Sequence, residues 1–276
     1  MLLTVLLGLT AAACWGVPDP WLAQATRSVG PFAVCFGSVL IGALAIAPAA
    51  FFVRLPEWTL RGVLLAVFVG ALTACAYQLA FVAFRSGSVS VVAPIIACEG
   101  AVAAVIAIAS GEHLSLLVLG LLPVAVVGVV LAAMGGGGGS TGALPAAGAA
   151  CMWGVILVLS APVADDLGVF WGFLLIRASA LAWMLPLAVR KGAATRWRGD
   201  PWRVAAWGLG DSCAYLAFVA AADNGPVAVA SVLAAQFATV AVVVATAFFG
   251  ERPLARQLVG IALVIAAVSA IAAAGG

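Results

Sequence analysis

Of 276 residues, 66% are hydrophobic and 8% are charged, and the mean hydropathy is +1.26, whereas an ordinary soluble domain is about 25% charged. Twelve Lys+Arg and 10 Asp+Glu cannot cover a water-facing surface and form no basic field for nucleic acid, so soluble enzymes and DNA binders are excluded. Because about 20 apolar residues span a bilayer, the composition predicts a polytopic protein with short loops, its main partner being the lipid bilayer.

In chain order, apolar runs bounded by Pro, Gly and charge clusters lie near 2–25, 31–53, 62–84, 88–110, 114–134, 143–163, 169–189, 203–222, 226–249 and 255–274. Barrel strands would alternate apolar and polar residues. These runs are Ala-, Leu- and Val-rich throughout, which predicts ten transmembrane helices in an all-α integral membrane fold. Small residues suit close packing between such helices, because lipid supplies no hydrophobic drive between them. The stretch before Cys14 resembles a signal h-region but lacks a basic start, and is expected to stay as the first span. Six cysteines fall singly within apolar runs, without a C-x-x-C pair. They read as small buried residues rather than metal ligands, and no cofactor is expected. The glycines at 135–139 read as a flexible connector, since the Lys-Ser/Thr of a phosphate loop does not follow them.

The connector divides two related halves. A shift of 138 positions carries Trp15-Gly16-Val17 onto Trp153-Gly154-Val155, Pro48 onto Pro186, Gly70 onto Gly208, Cys75-Ala76-Tyr77 onto Cys213-Ala214-Tyr215, and Gly87 onto Gly225. Slightly larger shifts align Gly111-Glu112 with Gly250-Glu251 and Gly120 with Gly260. Trp, Tyr, Cys and Pro are scarce enough here to make the match informative. The expected organisation is a first five-helix repeat at 1–134, a linker at 135–142 and a second repeat at 143–276. Five is odd, so the second unit enters the membrane from the opposite side. Inverted repeats of this kind build secondary transporters, with the site near the midplane and alternating access around it.

These residues resemble the EamA-type drug/metabolite transporter family. The likeness rests on the Trp-Gly of each first helix, the Gly-Glu turns Gly111-Glu112 and Gly250-Glu251, the stretch from Ser88 to Pro94, and Gly120 and Gly260. It covers nearly the whole chain. It implies an exporter-like permease of small metabolites, with helices one to four and six to nine around a central cavity and the fifth and tenth at the periphery. The continuation Val17-Pro18-Asp19-Pro20 departs from the general pattern.

Four charges sit inside apolar segments: Asp19, Glu99, Arg177 and Asp211. On insertion scales each costs about 2.5–3.5 kcal/mol at a helix centre, so such residues normally face a cavity or a partner. Asp211 and Tyr215 are four apart and share a helical face. The repeat equivalents are Thr73 and Tyr77, which marks a lining surface used twice. Glu99, whose equivalent is Phe237 with Gln236 beside it, suits a proton carrier or a clamp for a substrate amine, and equally a structural pair with Arg177. Arg177 keeps its charge and has two open uses, binding a substrate carboxylate or neutralising Asp211 or Glu99. Asp19 marks either a broken helix or a helix end at the membrane surface. Trp15 and Trp153 are either cavity aromatics or packing residues. The candidate substrate-binding set is therefore Trp15, Asp19, Tyr77, Glu99, Trp153, Arg177, Asp211, Tyr215 and Gln236. Glu112, His113 and Glu251 read as turn residues, and His113 alone makes no metal site.

The expected function is transport, as an exporter, of small metabolites such as amino acids or amines across a plasma (inner) membrane, by alternating access. Proton coupling and uncoupled facilitated movement are both open, as are a monomer and a homodimer. The competing class is a receptor or scaffold that does not transport, although the short loops offer it no signalling part. An enzyme is not expected, because catalytic His pairs and metal-ligand clusters are missing. Loop charges dispute the orientation. Arg54 and Arg61 lie on the side of the N-terminus, and nine Lys/Arg lie on the other. The positive-inside rule thus places the N-terminus outside, whereas the resemblance implies cytoplasmic termini.

Overall fold

The computed structural model describes residues 2–111, 116–133, 142–250 and 254–274, and among them every regular element is helical. Seven described stretches are long and apolar enough to cross a membrane by length and composition, from Leu2–Val29 to Val227–Phe249. Glu112, His113 and Glu251, expected as turn residues, and most of the glycine linker lie outside the described residues.

The first span is broken. Helix α1 (Leu2–Gly16) stops at Val17-Pro18, and α2 (Asp19–Val29) starts with Asp19 in its first turn. A single residue, Gly30 at φ 95° and ψ 146°, turns the chain into α3 (Pro31–Ile46), which ends in a 3-10 turn at Ala47–Phe51. Helix α4 (Leu60–Ser86) is capped by Thr59, whose hydroxyl accepts from the Gly62 N–H at 3.0 Å. The fourth span is also in two pieces, α5 (Val89–Ala97) and α6 (Glu99–Ala109), with a 3-10-type bond from Cys98 N–H to the Ile95 carbonyl between them. Helix α7 (Leu116–Ala133) completes the first half.

The second half repeats the plan. Element α8 (Ala143–Arg190) is two helices joined at Gly168, φ 74° and ψ 154°. Gly172 packs back on Val163 across that turn. Gly30 and Gly168 are 138 positions apart and adopt the same backbone conformation, one that disfavours a side chain. Gly111 and Gly250, matched by the neighbouring shift, are both left-handed as well. A short α9 (Ala193–Arg196) leads to α10 (Pro201–Asp223). Next come α11 (Val227–Ala234) and α12 (Phe237–Phe249), broken at the position equivalent to the α5–α6 break, and finally α13 (Ala255–Ala274). Helix α4 packs on α8 and α1 on α10, while α7 and α13 pack on each other.

The cysteines depart from expectation. Cys35 is buried, but Cys75, Cys151 and Cys213 are exposed on the outer face. A thiol behaves as a small hydrophobe, so an apolar run can turn it toward lipid as readily as inward.

Glycines set the helix spacing. A Cβ on Gly70 would fall 2.5 Å from Ser179 Cβ and 2.7 Å from the Ile176 carbonyl oxygen, whereas one on Gly120 meets nothing within 4 Å. Gly70→Leu should therefore lower stability by about 1–3 kcal/mol, the usual cost of overpacking. Thermal unfolding of detergent-solubilised protein should show that loss and leave Gly120→Ala close to the parent.

Candidate functional site

The four intramembrane charges and both tyrosines converge at the middle of the bundle. Arg177 lies on the second helix of α8, 1% exposed, and its Nη2 is 2.7 Å from Asp211 Oδ2 on α10. Tyr77, on α4, bridges the pair. Its hydroxyl accepts from Arg177 Nη1 and donates to Asp211 Oδ2, each at 2.6 Å. Trp15 Nε1 donates to Asp211 Oδ1 at 2.9 Å. The guanidinium also lies over the Phe173, Tyr77 and Tyr215 rings at 5.0, 5.4 and 5.5 Å, an arrangement that attracts a cation to the ring faces. Of the two uses open to Arg177, the geometry shows the pair with Asp211. Asp211 thus accepts one hydrogen bond on each oxygen, from Trp15 and from Tyr77, beside the ion pair, and bonds to an ionised acceptor are the stronger kind.

A cavity lies on one side of this pair. Trp15, Asp19, Tyr77, Glu99, Trp153 and Asp211 line it, so six of the nine candidate residues meet there. Along α4 its wall runs through Tyr77, Ala80, Phe81 and Phe84, from mid-helix toward the end at Ser86. That end of the bundle carries the basic loops. Arg27 donates to the Gly87 carbonyl at 3.0 Å, and Ser28 donates to Asp200 at 3.3 Å. In the other direction Arg177, Phe173, Tyr215 and Ser160 are packed shut, with Tyr215 hydrogen-bonded to Ser160 Oγ at 2.7 Å.

Asp19 is buried, and Trp207 Nε1 donates to its Oδ1 at 3.0 Å. It marks a break within the span and not a helix end at the surface. Its place in the first turn of α2 puts the positive end of the helix dipole beside its carboxyl. Glu99, 4% exposed, opens α6. Among the described residues no hydrogen bond or ion pair reaches its carboxyl, so the pairing with Arg177 open to it in the sequence does not form. Trp153 stands edge-on to Tyr77 at 4.8 Å, and Trp15 to Phe237 at 6.4 Å; both indoles line the cavity as well as packing.

Three candidates lie elsewhere. Arg177 stands behind Tyr77, outside the cavity wall. Tyr215 sits in the packed layer. Gln236, in the break between α11 and α12, borders a separate small cavity with Cys98 and Val126, and its Nε2 donates back to the Val232 carbonyl of α11, 2.9 Å away. The residue that takes the position equivalent to Glu99 in the wall is Phe237. The candidate set missed Phe81 and Phe84 in the wall and also Trp207, which holds Asp19 and stacks edge-on to Phe81 at 4.9 Å. Trp207 lies four before Asp211, on the face that Asp211 and Tyr215 already defined, so the same periodicity could have found it.

The family model described as "EamA-like transporter family" matches residues 2–134 and 140–273. A solved crystal structure superposes with a TM-score of 0.73, covering 97% of this chain and 97% of that chain at 20% sequence identity, a level that shows a shared fold alone. No curated protein matches the chain.

The ion pair makes a prediction about stability. Removing one member of a buried pair typically costs about 3–5 kcal/mol, because the other charge is left uncompensated. Arg177→Leu should therefore unfold far below the parent in a thermal melt, and the double change with Asp211→Leu should recover most of the loss. A double variant as unstable as the single would show that Arg177 is not held there by its charge partner.

Proposed function

Since the chain belongs to the EamA-like transporter family, we propose that it exports small metabolites such as amines or amino acids across a plasma (inner) membrane, by alternating access around the central cavity. In this reading ten spans form two inverted five-helix repeats, 1–134 and 143–276, joined by the glycine linker. The paired turns at Gly30 and Gly168, and the equivalent breaks in the fourth span of each half, support it. The observation that carries the proposal is the one-sided cavity. It extends toward the basic loops from the Arg177–Asp211 pair and is packed shut beyond that pair.

Substrate contacts the cavity wall at Trp15, Asp19, Tyr77, Glu99, Trp153 and Asp211. Arg177 positions Asp211 and Tyr77 without touching substrate. Exchanging the conformations of the two halves would open the opposite side, where Tyr215 takes the place of Tyr77. Gln236 receives no role. Glu99, which has no hydrogen-bond or ion-pair partner among the described residues and faces the cavity, is the group best placed to exchange a proton for substrate.

Purified protein in liposomes tests this. Wild-type protein should accumulate a member of an amine and amino-acid panel in response to an imposed pH gradient, and Glu99→Gln should make that flux indifferent to the gradient. If no panel member moves and no proton flux accompanies any of them, the transport reading fails.

A further inference from the structure

The chargeable side chains at the cavity wall are acids. Asp19, Glu99 and Asp211 reach its wall, and among the described residues no basic side chain does. Asp211 is already neutralised by Arg177 at 2.7 Å, and that arginine stands behind Tyr77, outside the cavity wall, where a substrate carboxylate in the cavity does not meet it. Two acids remain. Asp19 receives one hydrogen bond, from Trp207. Glu99, more than nine-tenths buried and aimed into the cavity, receives none among the described residues. The charged groups that act on Glu99 from neighbouring helices are Asp19 on α2 and Asp211 on α10, both acidic. Acting on Asp19 is Asp211.

The rest of the wall is largely aromatic, with Phe81 and Phe84 along α4 and Trp153 and Trp207 facing it. Ring faces attract cations, quaternary ammonium groups included. An uncompensated carboxylate among apolar groups is expensive, and a bound cation would relieve that cost. A second carboxylate brought in on the substrate would add to it.

Building on the transporter reading, we infer that the site selects organic ammonium ions. The charged head sits at Asp19 and Glu99, the hydrocarbon body lies along Phe81 and Phe84, and zwitterions and anions with the same body are rejected. This narrows the substrate class from amines or amino acids to amines.

Three compounds with one phenyl body and different charge test the inference: phenethylamine, phenylalanine and 3-phenylpropionate. Quenching of tryptophan fluorescence reads binding, since Trp15, Trp153 and Trp207 line the cavity, and uptake into liposomes reads flux. Phenethylamine should bind at least about tenfold more tightly than phenylalanine, a difference of about 1.4 kcal/mol, and 3-phenylpropionate should not saturate. Glu99→Gln and Asp19→Asn should each weaken phenethylamine by a similar factor. The wild-type series needs no variant, so a substituted protein that folds poorly leaves the test intact. Equal or tighter binding of phenylalanine or 3-phenylpropionate overturns the inference, as does the absence of saturable phenethylamine binding. Phenethylamine binding without flux of any of the three supports the cation site and overturns the transporter reading. Flux of phenylalanine alone supports the transporter reading and overturns the cation site.

Discussion

An arginine that cannot lose its charge, held at 1% exposure in the middle of an apolar bundle, constrains everything around it. It needs a permanent anion within contact distance, and Asp211 at 2.7 Å supplies one. That requirement fixes α8 against α10. Tyr77, bonded to both charges, adds α4, and Trp15, bonded to Asp211, adds α1. Helices can approach this closely only where side chains are small. Gly70 lies against Ser179 and the Ile176 carbonyl beside the arginine, and Gly210 lies against the Cys14 carbonyl. The small residues and the ion pair are thus parts of one arrangement, in which backbones close enough to pack in lipid also bring the polar groups into bonding distance.

The two acids left over share a structural origin. Asp19 opens α2 and Glu99 opens α6, each immediately after a break in a membrane span. A helix start leaves backbone N–H groups without intrahelical partners and carries the positive end of the dipole, and each break delivers such an end to the cavity. Prolines contribute to the first break, since Pro18 and Pro20 flank Asp19 and neither has an N–H to donate. The second break follows Pro94 by four residues. Its counterpart between α11 and α12 has no proline nearby and no acid, so helix interruption and charge are separable features of the two halves.

The sequence made legible whatever depends on composition and period. The ends of the helices fall within a few residues of the apolar runs, and the shift between halves recurs in the backbone as the matched turns at Gly30 and Gly168. Rarity made the four intramembrane charges stand out, and the structure brings all four to one place. Direction was harder to read. Gln236 and Glu99 looked comparable because both are polar and lie near equivalent positions, yet one residue of offset turns Gln236 back onto α11 and puts Phe237 in the wall. The tyrosines are exact repeat equivalents, and still only Tyr77 reaches the cavity. Periodicity assigns a face, but which half is open and which is packed is a property of the conformation. Whether Arg177 would meet Glu99 or Asp211 likewise depended on contacts between helices far apart in the chain, which no local pattern encodes.

The departures from symmetry place the chemistry. Under the shift of 138, Asp19 corresponds to Leu157, Glu99 to Phe237, Arg177 to Val39 and Asp211 to Thr73, so no central charge has a charged counterpart. Asp19 and Glu99 belong to the first half, and the mutually compensated pair belongs to the second. Three sets of polar bonds cross between halves at the centre: Tyr77 to Arg177 and Asp211, Trp15 to Asp211, and Trp207 to Asp19. If the halves move against each other, the ion pair travels intact with the second half while these crossing bonds must break and re-form. An occupant that compensates Asp19 and Glu99 would weaken the hold of Trp207 on Asp19 while leaving the ion pair intact. In the proposed alternating-access cycle the symmetric frame would provide two conformations of similar kind, and the asymmetric charges would give the ligand a way to choose between them.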